Sequence, residues 1–266
     1  MESACQKEQD QQKEQQNRIK LKVVPEIDQS WTIERIARER PPISWEKVFQ
    51  DAMPELETVS EILEEKEKRG EGIFPFKKNI FKAFEITPID CIRVIIVGQD
   101  PYPQLVSSTG QPRAQGFSFS VSKNDTIPSS LSNMYTELEN TVPGFHRPWH
   151  GDLTDWARQG VLLLNMSLTV EPGKAGSHGA IWMGFISKAL DEIAQRRPNA
   201  VYIMLGQQAQ KLQKYISDRA PIVTAAHPSG LSARKGFFGS NVFVRTNQLL
   251  IKSGQTPINW QLDNHV

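Results

Sequence analysis

Short, nearly continuous runs of apolar residues recur along the chain. Four of them stand out, at Ile92–Val97, Val161–Leu164, Ala200–Met204 and Ile222–Ala225. Their apolar residues do not alternate with polar ones, which is typical of strands covered on both faces, as in a parallel sheet. The hydrophobic pattern therefore predicts a central, mostly parallel four-stranded sheet.

Helical patterns separate these strands. Between Ile186 and Ile193 apolar residues recur three and four positions apart, and Pro198 stops that helix. Three further helices are predicted. One runs to Asn140 and is capped by Ser129 or Ser130, and the others lie at Gln207–Ile216 and within Trp45–Arg69. Alternating strands and helices predict an α/β fold, a three-layer α/β/α domain.

The composition of the 266-residue chain indicates one domain preceded by a polar tail. Residues 1–20 hold six glutamines, four basic and four acidic residues, so they bury too little apolar surface to order themselves. We therefore expect a polar, flexible tail at 1–22 and a single domain at 23–266. No apolar stretch approaches the roughly 20 residues of a membrane helix, and no secretory signal or membrane association is expected.

Residues that hold metals, cofactors or disulfides form no recognisable pattern. Cys5 and Cys91 give neither a disulfide framework nor a zinc spacing, and the five histidines show no metal spacing. The phosphate-binding motifs GxxxxGK[ST] and GxGxxG are absent from the sequence. No metal and no nucleotide cofactor is therefore expected, and a reducing compartment fits.

The basic residues are unevenly distributed although the net charge is only +1. From Gly206 to Lys252, seven Lys and Arg residues stand against one acidic residue. Such a segment can present a basic face to a polyanion. A solvated basic surface without a ligand is the alternative.

Polar side chains follow each predicted strand. The strands end in Gly98-Gln99-Asp100, in Asn165, in Gly206-Gln207-Gln208 and in His227-Pro228-Ser229. Ligands of open α/β sheets bind beyond the carboxyl ends of the strands. We therefore expect these groups to converge on one pocket.

Each candidate has a structural alternative. An Asp-Pro step such as Asp100-Pro101 is common in turns, and a single histidine before proline, like His227, is usually structural. The amide of Asn165 can pair with a ligand or with a backbone carbonyl. Small loop residues beside Arg234 and Lys235 suit phosphate groups without reading sequence; they are Ser129, Ser130, Ser229, Ser232, Gly230, Gly236 and Gly239.

Five motifs together resemble family 1 uracil-DNA glycosylase. They are GQDPYP, GFSFSV, HGDLTDWARQGVLLLNMSLTV, LGQQAQK and HPSGLSARKGFFGSNVFVRTNQLL, and they occur in the order of that family. The resemblance extends from about Trp45 to Trp260. It implies hydrolysis of the N-glycosidic bond of deoxyuridine in DNA, which releases uracil, leaves an abasic site and initiates base excision repair without a cofactor.

The resemblance implies a role for individual residues. Asp100 matches the aspartate that orients the attacking water and stabilises the cationic sugar, and His227 matches the histidine that donates a hydrogen bond to uracil O2. In the base pocket, Asn165 reads the uracil edge, Phe119 stacks on the base, Tyr102 blocks a thymine methyl group and Gln99 adjoins the pocket.

DNA binding is implied for a second set of residues. Leu231 matches the wedge that enters the duplex when the nucleotide leaves the stack. The remaining contacts are expected from Ser129, Ser130, Gly206, Gln207, Ser229, Ser232 and Arg234.

Several positions depart from the family pattern. Pro103 stands where histidine is usual, Gly230 replaces a proline, and Gln207 replaces a serine. "IPSS" replaces a more proline-rich segment, and residues 104–112 form a somewhat long loop. A glycine at position 230 loosens the wedge loop, so inserting Leu231 should cost more ordering entropy. These departures concern DNA affinity more than chemistry.

Two other functions stay open at this point. The same fold could serve a catalytically weak DNA-binding subunit, or an enzyme of the wider superfamily that acts on another damaged base. Expected partners are single- and double-stranded DNA containing uracil and a DNA-mimicking protein inhibitor, with the chain itself a monomer. The expected location is cytoplasmic in a bacterium, and nuclear or a host-cell compartment for a eukaryotic or viral protein.

Overall fold

The computed structural model describes residues 26–263. The predicted tail at 1–22 lies outside the described residues. One hydrophobic core extends from Trp31 to Leu262. Cys91 is disulfide-bonded, so the expectation of no disulfide is wrong for the one cysteine that the structure describes. Within residues 26–263 no helix is both long and apolar enough to cross a bilayer.

Four parallel strands form the central sheet in the order β2-β1-β3-β4. They are β1 (Val94–Gly98), β2 (Val161–Asn165), β3 (Val201–Leu205) and β4 (Ile222–Ala225). The predicted parallel sheet is confirmed. Three strands end one residue later than predicted. Two begin later as well, β1 at Val94, after the 3-10 turn Ile89–Cys91, and β3 at Val201. The prediction of burial on both faces is wrong for the edge strand β4, where Thr224 is exposed.

Helices cover the sheet in the predicted three-layer arrangement. They are α1 (Ile33–Glu39), α2 (Glu46–Asp51), α3 (Met53–Lys68), α4 (Lys82–Ile86), α5 (Ser129–Thr141), α6 (Thr154–Arg158), α7 (Met183–Arg196), α8 (Gly206–Gln210) and α9 (Val242–Lys252). Short 3-10 turns occupy Lys77–Asn79, Ile89–Cys91, Lys211–Tyr215 and Ala233–Lys235.

Two predicted helix details are wrong. Helix α5 begins at Ser129, and Pro128 occupies its N-cap without a side-chain hydrogen bond, so neither serine caps it. Proline suits the start of a helix because its fixed φ and missing N–H cost nothing there. The helix predicted at Gln207–Ile216 is α8 followed by the 3-10 turn Lys211–Tyr215.

Aromatic side chains fill the core around the sheet. Phe49, on α2, packs edge-on against Phe81 and Phe185 at centroid distances of 4.8 and 5.1 Å. A second group joins Trp156 to Trp260 at 5.2 Å, with Phe243 of α9 packed on both. Such ring contacts fix the helices and the neighbouring loops against one another.

Candidate active site

The ends of β1 and β2 bring Gly98 and Asn165 into register. A Cβ atom at position 98 would overlap the Oδ1 atom of Asn165 and lie 2.8 Å from the Cβ of Ser118. Glycine is therefore required for the Asn165 side chain to lie across the end of β1. Asn165 is 6% exposed, and its amide makes no side-chain hydrogen bond within the described residues. A buried amide in that state is suited to pair with a ligand.

Asp100 lies two residues beyond β1 and is half-buried. Its Oδ2 atom accepts a hydrogen bond of 2.5 Å from the backbone N–H of Gly176. Burial raises the pKa of Asp100 above its ordinary value, and the Gly176 hydrogen bond partly opposes that change. The site thus holds a partly desolvated carboxylate with one fixed backbone donor.

Tyr102 and Phe119 are joined by a hydrogen bond. The Tyr102 hydroxyl donates to the carbonyl oxygen of Phe119 at 3.1 Å, and burial raises the pKa of Tyr102, so the phenol stays neutral. Phe119 has a positive φ of 63° and its ring centroid lies 5.9 Å from that of His227. The two prolines that flank Tyr102 restrict its backbone further. The Tyr102 ring is therefore held at both ends.

His227 follows β4 and is oriented by its own loop. Its Nδ1 atom accepts the backbone N–H of Ser229 at 3.1 Å, and its carbonyl accepts the Ser232 hydroxyl at 2.7 Å. Burial lowers the pKa of His227. Because Nδ1 accepts a hydrogen bond, the single proton of the neutral ring lies on Nε2. The imidazole is thus a neutral donor through Nε2.

A cavity of about 530 Å³ joins the ends of β1, β3 and β4. Gln99, Gly206, Gln207, His227 and Ser232 line it. Gly206 packs closely here, since a Cβ atom on it would lie 2.8 Å from the Cβ of His227. The polar groups after these strands are thus gathered at one edge of the sheet. Asp100, Tyr102, Phe119 and Asn165 are not among the residues that line this cavity. Phe119 adjoins it through its ring contact with His227, and Tyr102 is joined to Phe119 by a hydrogen bond.

The residues expected to bind DNA lie in the loop after His227, in the first turn of α5 and at the start of α8. Leu231 is 88% exposed at the tip of the loop that follows His227. The hydroxyls of Ser229 and Ser232 lie 2.8 Å apart within that loop. Ser129, Gln207 and Arg234 are exposed, and Ser130 is half-buried in the first turn of α5. Among residues 26–263, no three His, Cys, Asp or Glu side chains group as metal ligands.

Two supporting residues on α5 were missed from the sequence. The Asn133 side-chain amide donates to the Pro228 carbonyl at 2.7 Å. The Glu137 carboxylate is fully buried and accepts the backbone N–H groups of Gly239 and Asn241 at 2.7 and 2.8 Å. The available signal was the position of Glu137 on the apolar face of a helix, where a carboxylate needs internal partners.

Comparison with known proteins gives a consistent result. The family model described as "Uracil DNA glycosylase superfamily" matches residues 84–251. The uracil-DNA glycosylase of Klebsiella pneumoniae is 44% identical over 224 residues, which cover 82% of this chain and 95% of that one. The solved structure of mimivirus uracil-DNA glycosylase aligns with a TM-score of 0.78 at 28% identity over 84% of this chain and 87% of its own. A mimivirus UNG variant in complex with UGI aligns with a TM-score of 0.77 at 28% identity, over 83% of this chain and 88% of that one.

Proposed function

Since the chain belongs to the uracil DNA glycosylase superfamily, and excises uracil from DNA as a DNA N-glycosylase of base excision repair, we propose that Asp100 and His227 carry the hydrolysis. The observation that carries this proposal is the hydrogen bond from the Ser229 N–H to Nδ1 of His227. It fixes which ring nitrogen bears the proton. The Nε2–H is then the group directed at the substrate.

His227 stabilises the leaving group. Uracil departs with negative charge on its oxygens, and a fixed donor at the developing oxyanion is worth several kcal/mol. Burial lowers the pKa of His227, which supports a neutral imidazole in this role. The donor contact strengthens as charge develops, so it accelerates cleavage rather than binding alone.

Asp100 stabilises the opposite charge. Glycosidic cleavage passes through an oxocarbenium-like state, and a nearby carboxylate is favourable there. Partial burial strengthens that attraction because fewer waters screen it. The same carboxylate orients the attacking water. Pro103, at the position where the family usually has histidine, offers no side chain for this task, so the orientation falls to Asp100.

The base pocket follows from four residues. Asn165 pairs with the uracil edge, Phe119 stacks on the ring and Gln99 adjoins it. Tyr102 excludes thymine, because a clamped ring clashes with a 5-methyl group that a yielding pocket would accommodate. The hydrogen bond from Tyr102 to Phe119 supports this assignment, since it holds the ring in place.

The loops around the cavity bind the DNA strand. Extruding a base costs a few kcal/mol, and phosphate contacts together with an apolar wedge offset that cost. We assign the wedge to Leu231 and the backbone contacts to Ser129, Ser130, Gly206, Gln207, Ser229, Ser232 and Arg234. The substrate is then uracil in single- or double-stranded DNA. A DNA-mimicking inhibitor would bind the same face, which the related mimivirus complex with UGI supports.

We further propose that 23–266 is one catalytic domain and that it acts as a monomer. The single hydrophobic core among the described residues supports one folding unit. A variant that lacks residues 1–22 should keep the excision rate constant of the full chain. Size-exclusion chromatography with light scattering should give the mass of one chain.

One assay tests the catalytic assignment. A uracil oligonucleotide is incubated without added metal and then treated with alkali, which reveals abasic sites. Asp100→Asn and His227→Ala should each lower the single-turnover rate constant at least about a hundredfold. The exposed residues Asp218 and His146 supply matched controls, Asp218→Asn and His146→Ala. Excision at the parental rate by Asp100→Asn would overturn the assignment. Strands with thymine, a G·T mismatch or hypoxanthine measure specificity.

A further inference from the structure

The loop formed by residues 171–178 lies against the segment that carries Asp100. Its Gly176 N–H donates to the Asp100 carboxylate at 2.5 Å, and its Gly173 N–H donates to the Pro103 carbonyl at 2.9 Å. Gly176 is the only hydrogen-bond partner of that carboxylate within the described residues. The loop therefore contacts both ends of the Asp100–Pro103 segment and sets the direction of the carboxylate.

The buried side chain of His178 holds the end of this loop. It is 1% exposed, and its Nδ1 atom lies 3.0 Å from the Thr169 hydroxyl. That hydroxyl also accepts the indole N–H of Trp182 at 2.8 Å. Because an indole can only donate, the Thr169 hydrogen is free to point at His178. His178 thus lies at the end of a chain of buried hydrogen bonds that begins at Trp182.

The loop is also closed within itself. The Ser177 hydroxyl accepts the Glu171 N–H at 2.8 Å, and the Lys174 N–H donates to the Glu171 carbonyl at 3.0 Å. These bonds make the loop a compact unit, so a fixed His178 fixes Gly176 two residues away. No other polar group reaches the His178 Nε2 atom within the described residues.

We propose that His178 is a positioning residue for uracil excision, whose hydrogen bond to Thr169 fixes the 171–178 loop so that the Gly176 N–H orients the Asp100 carboxylate. This inference rests on the proposed role of Asp100. His178 itself touches neither the base nor the sugar in this scheme. It acts through backbone geometry.

The charged groups around His178 are consistent with an acceptor that stays neutral. Burial and, to a smaller extent, Lys66 lower the pKa of His178 to about 4, against the opposing effect of Glu171 and Glu71. Lys66 and Glu71, near the end of α3, pair with each other at 2.8 Å, and Lys174 pairs with Glu171 at 2.5 Å. The ring therefore stays neutral at pH values well above 4, and its hydrogen bond to Thr169 does not change with pH in that range.

Three variants separate positioning from packing. His178→Phe keeps a ring but removes the acceptor, and Thr169→Val removes the hydroxyl at nearly constant volume. His178→Asn keeps an acceptor near the Nδ1 position and serves as the conservative rescue. Circular dichroism and thermal unfolding establish that each variant is folded, and only the folded fraction enters the rate constant.

The first readout is the titration of Asp100 in the free protein, followed by carbonyl ¹³C NMR. The Gly176 N–H favours the ionised carboxylate, so a displaced loop should raise the pKa of Asp100 further. We expect an upward shift in His178→Phe and Thr169→Val, and the parental titration in His178→Asn. A merely structural histidine would lower the melting temperature and leave this titration unchanged.

The second readout is the single-turnover excision rate constant at saturating enzyme. Loss of one positioning hydrogen bond should lower it about tenfold in His178→Phe and less than about twofold in His178→Asn, with the same DNA dissociation constant. In an Asp100→Asn background, His178→Phe should add no further loss, because it acts through Asp100.

Two results would overturn the proposal. One is that folded His178→Phe has the same Asp100 pKa and the same excision rate constant as the parental protein. If His178→Phe does not fold, the same result in Thr169→Val counts. The other is an equal loss in His178→Asn and His178→Phe. Failure of the Asp100 assignment is seen separately, as parental excision by Asp100→Asn, since the titration reports on the loop whether or not Asp100 is used.

Discussion

The side-chain amide of Asn133 donates a 2.7 Å hydrogen bond to the carbonyl of Pro228, the residue that follows His227. One helical turn later, the buried Glu137 carboxylate holds the turn at residues 239–241. Helix α5 also carries Ser129 and Ser130 in its first turn. One rigid helix thus supports both the proposed phosphate contacts and both ends of the segment that presents Leu231.

Asn133→Ala should impair excision from duplex DNA more than from single strands. The variant leaves the Pro228 carbonyl without its donor and loosens the wedge loop, which only a duplex substrate needs. Since a net hydrogen bond contributes about 1 kcal/mol, we expect about a fivefold lower kcat/KM on duplex uracil and less than a twofold change on single strands. Asn124→Ala is the control, because Asn124 is exposed and its side chain makes no hydrogen bond to residues 26–263. Equal losses on both substrates would contradict a role of this bond in duplex entry.

The excision rate should fall as the pH is lowered from neutrality. In the proposed mechanism the active form has Asp100 ionised and His227 neutral, so protonation of either group should inactivate the enzyme. Burial raises the pKa of Asp100 above its ordinary 3.8 and lowers the pKa of His227 below 6.5. His227 therefore titrates below pH 6.5 and Asp100 above pH 3.8, so the single-turnover rate constant should fall as acid protonates these groups.

A protonated His227 is also incompatible with its loop. It would place an N–H at Nδ1 opposite the N–H of Ser229, two donors at hydrogen-bond distance. Rate constants measured between pH 4 and 8, with circular dichroism at each pH as the folding control, test this. A His227 that titrates above pH 6.5 would contradict the neutral imidazole, and a rate constant that does not fall down to pH 4 would contradict the need for an ionised Asp100.

Tyr102→Ala should allow thymine to be excised from DNA, because it removes the ring that opposes the 5-methyl group. Tyr102→Phe is the matched control: it keeps the ring and loses only the hydroxyl that bonds to Phe119. On a duplex that contains thymine paired with adenine and no uracil, we expect only the alanine variant to produce abasic sites. If the alanine variant leaves such a duplex intact, or if Tyr102→Phe cleaves it equally, the ring is not the element that excludes thymine.

Gly230→Ala should improve action on duplex DNA. A Cβ atom at position 230 meets nothing within 4 Å, so the change adds no clash. Replacing glycine at a compatible site reduces the freedom lost on ordering by about 0.4–1 kcal/mol, which corresponds to about a twofold to fivefold gain in the duplex rate constant. Gly98→Ala, which would collide with Asn165, should abolish excision in the same assay. A slower Gly230→Ala enzyme would show that the loop needs its freedom.

The sheet and the positions around the cavity were predictable because short, continuous stretches of sequence indicate them. Continuous apolar runs of four to six residues, each ended by a polar group, identify parallel strands and the edge at which ligands bind. Asp100, Asn165 and His227 stand directly at such ends. The motifs that resemble uracil-DNA glycosylase added the role expected of each residue.

The contacts made across the chain could not be predicted in this way. Gly176 reaches Asp100 from 76 positions downstream, and no periodicity links the two. Asn133 and Pro228 are 95 positions apart. The capping role predicted for Ser129 or Ser130 failed for a local reason, since Pro128 already supplies a suitable helix start. Hydrogen bonds between residues far apart in the sequence depend on the tertiary structure, and the local sequence pattern does not predict them.

The exposure of Leu231 has a consequence at high ionic strength. Phosphate contacts weaken steeply with added salt because they release counterions on binding. The burial of a leucine side chain, worth about 2 kcal/mol, does not depend on counterions. If Leu231 is the proposed wedge, a growing share of the binding free energy for a duplex should therefore come from this one apolar side chain as salt rises; 88% of it faces water in the free protein.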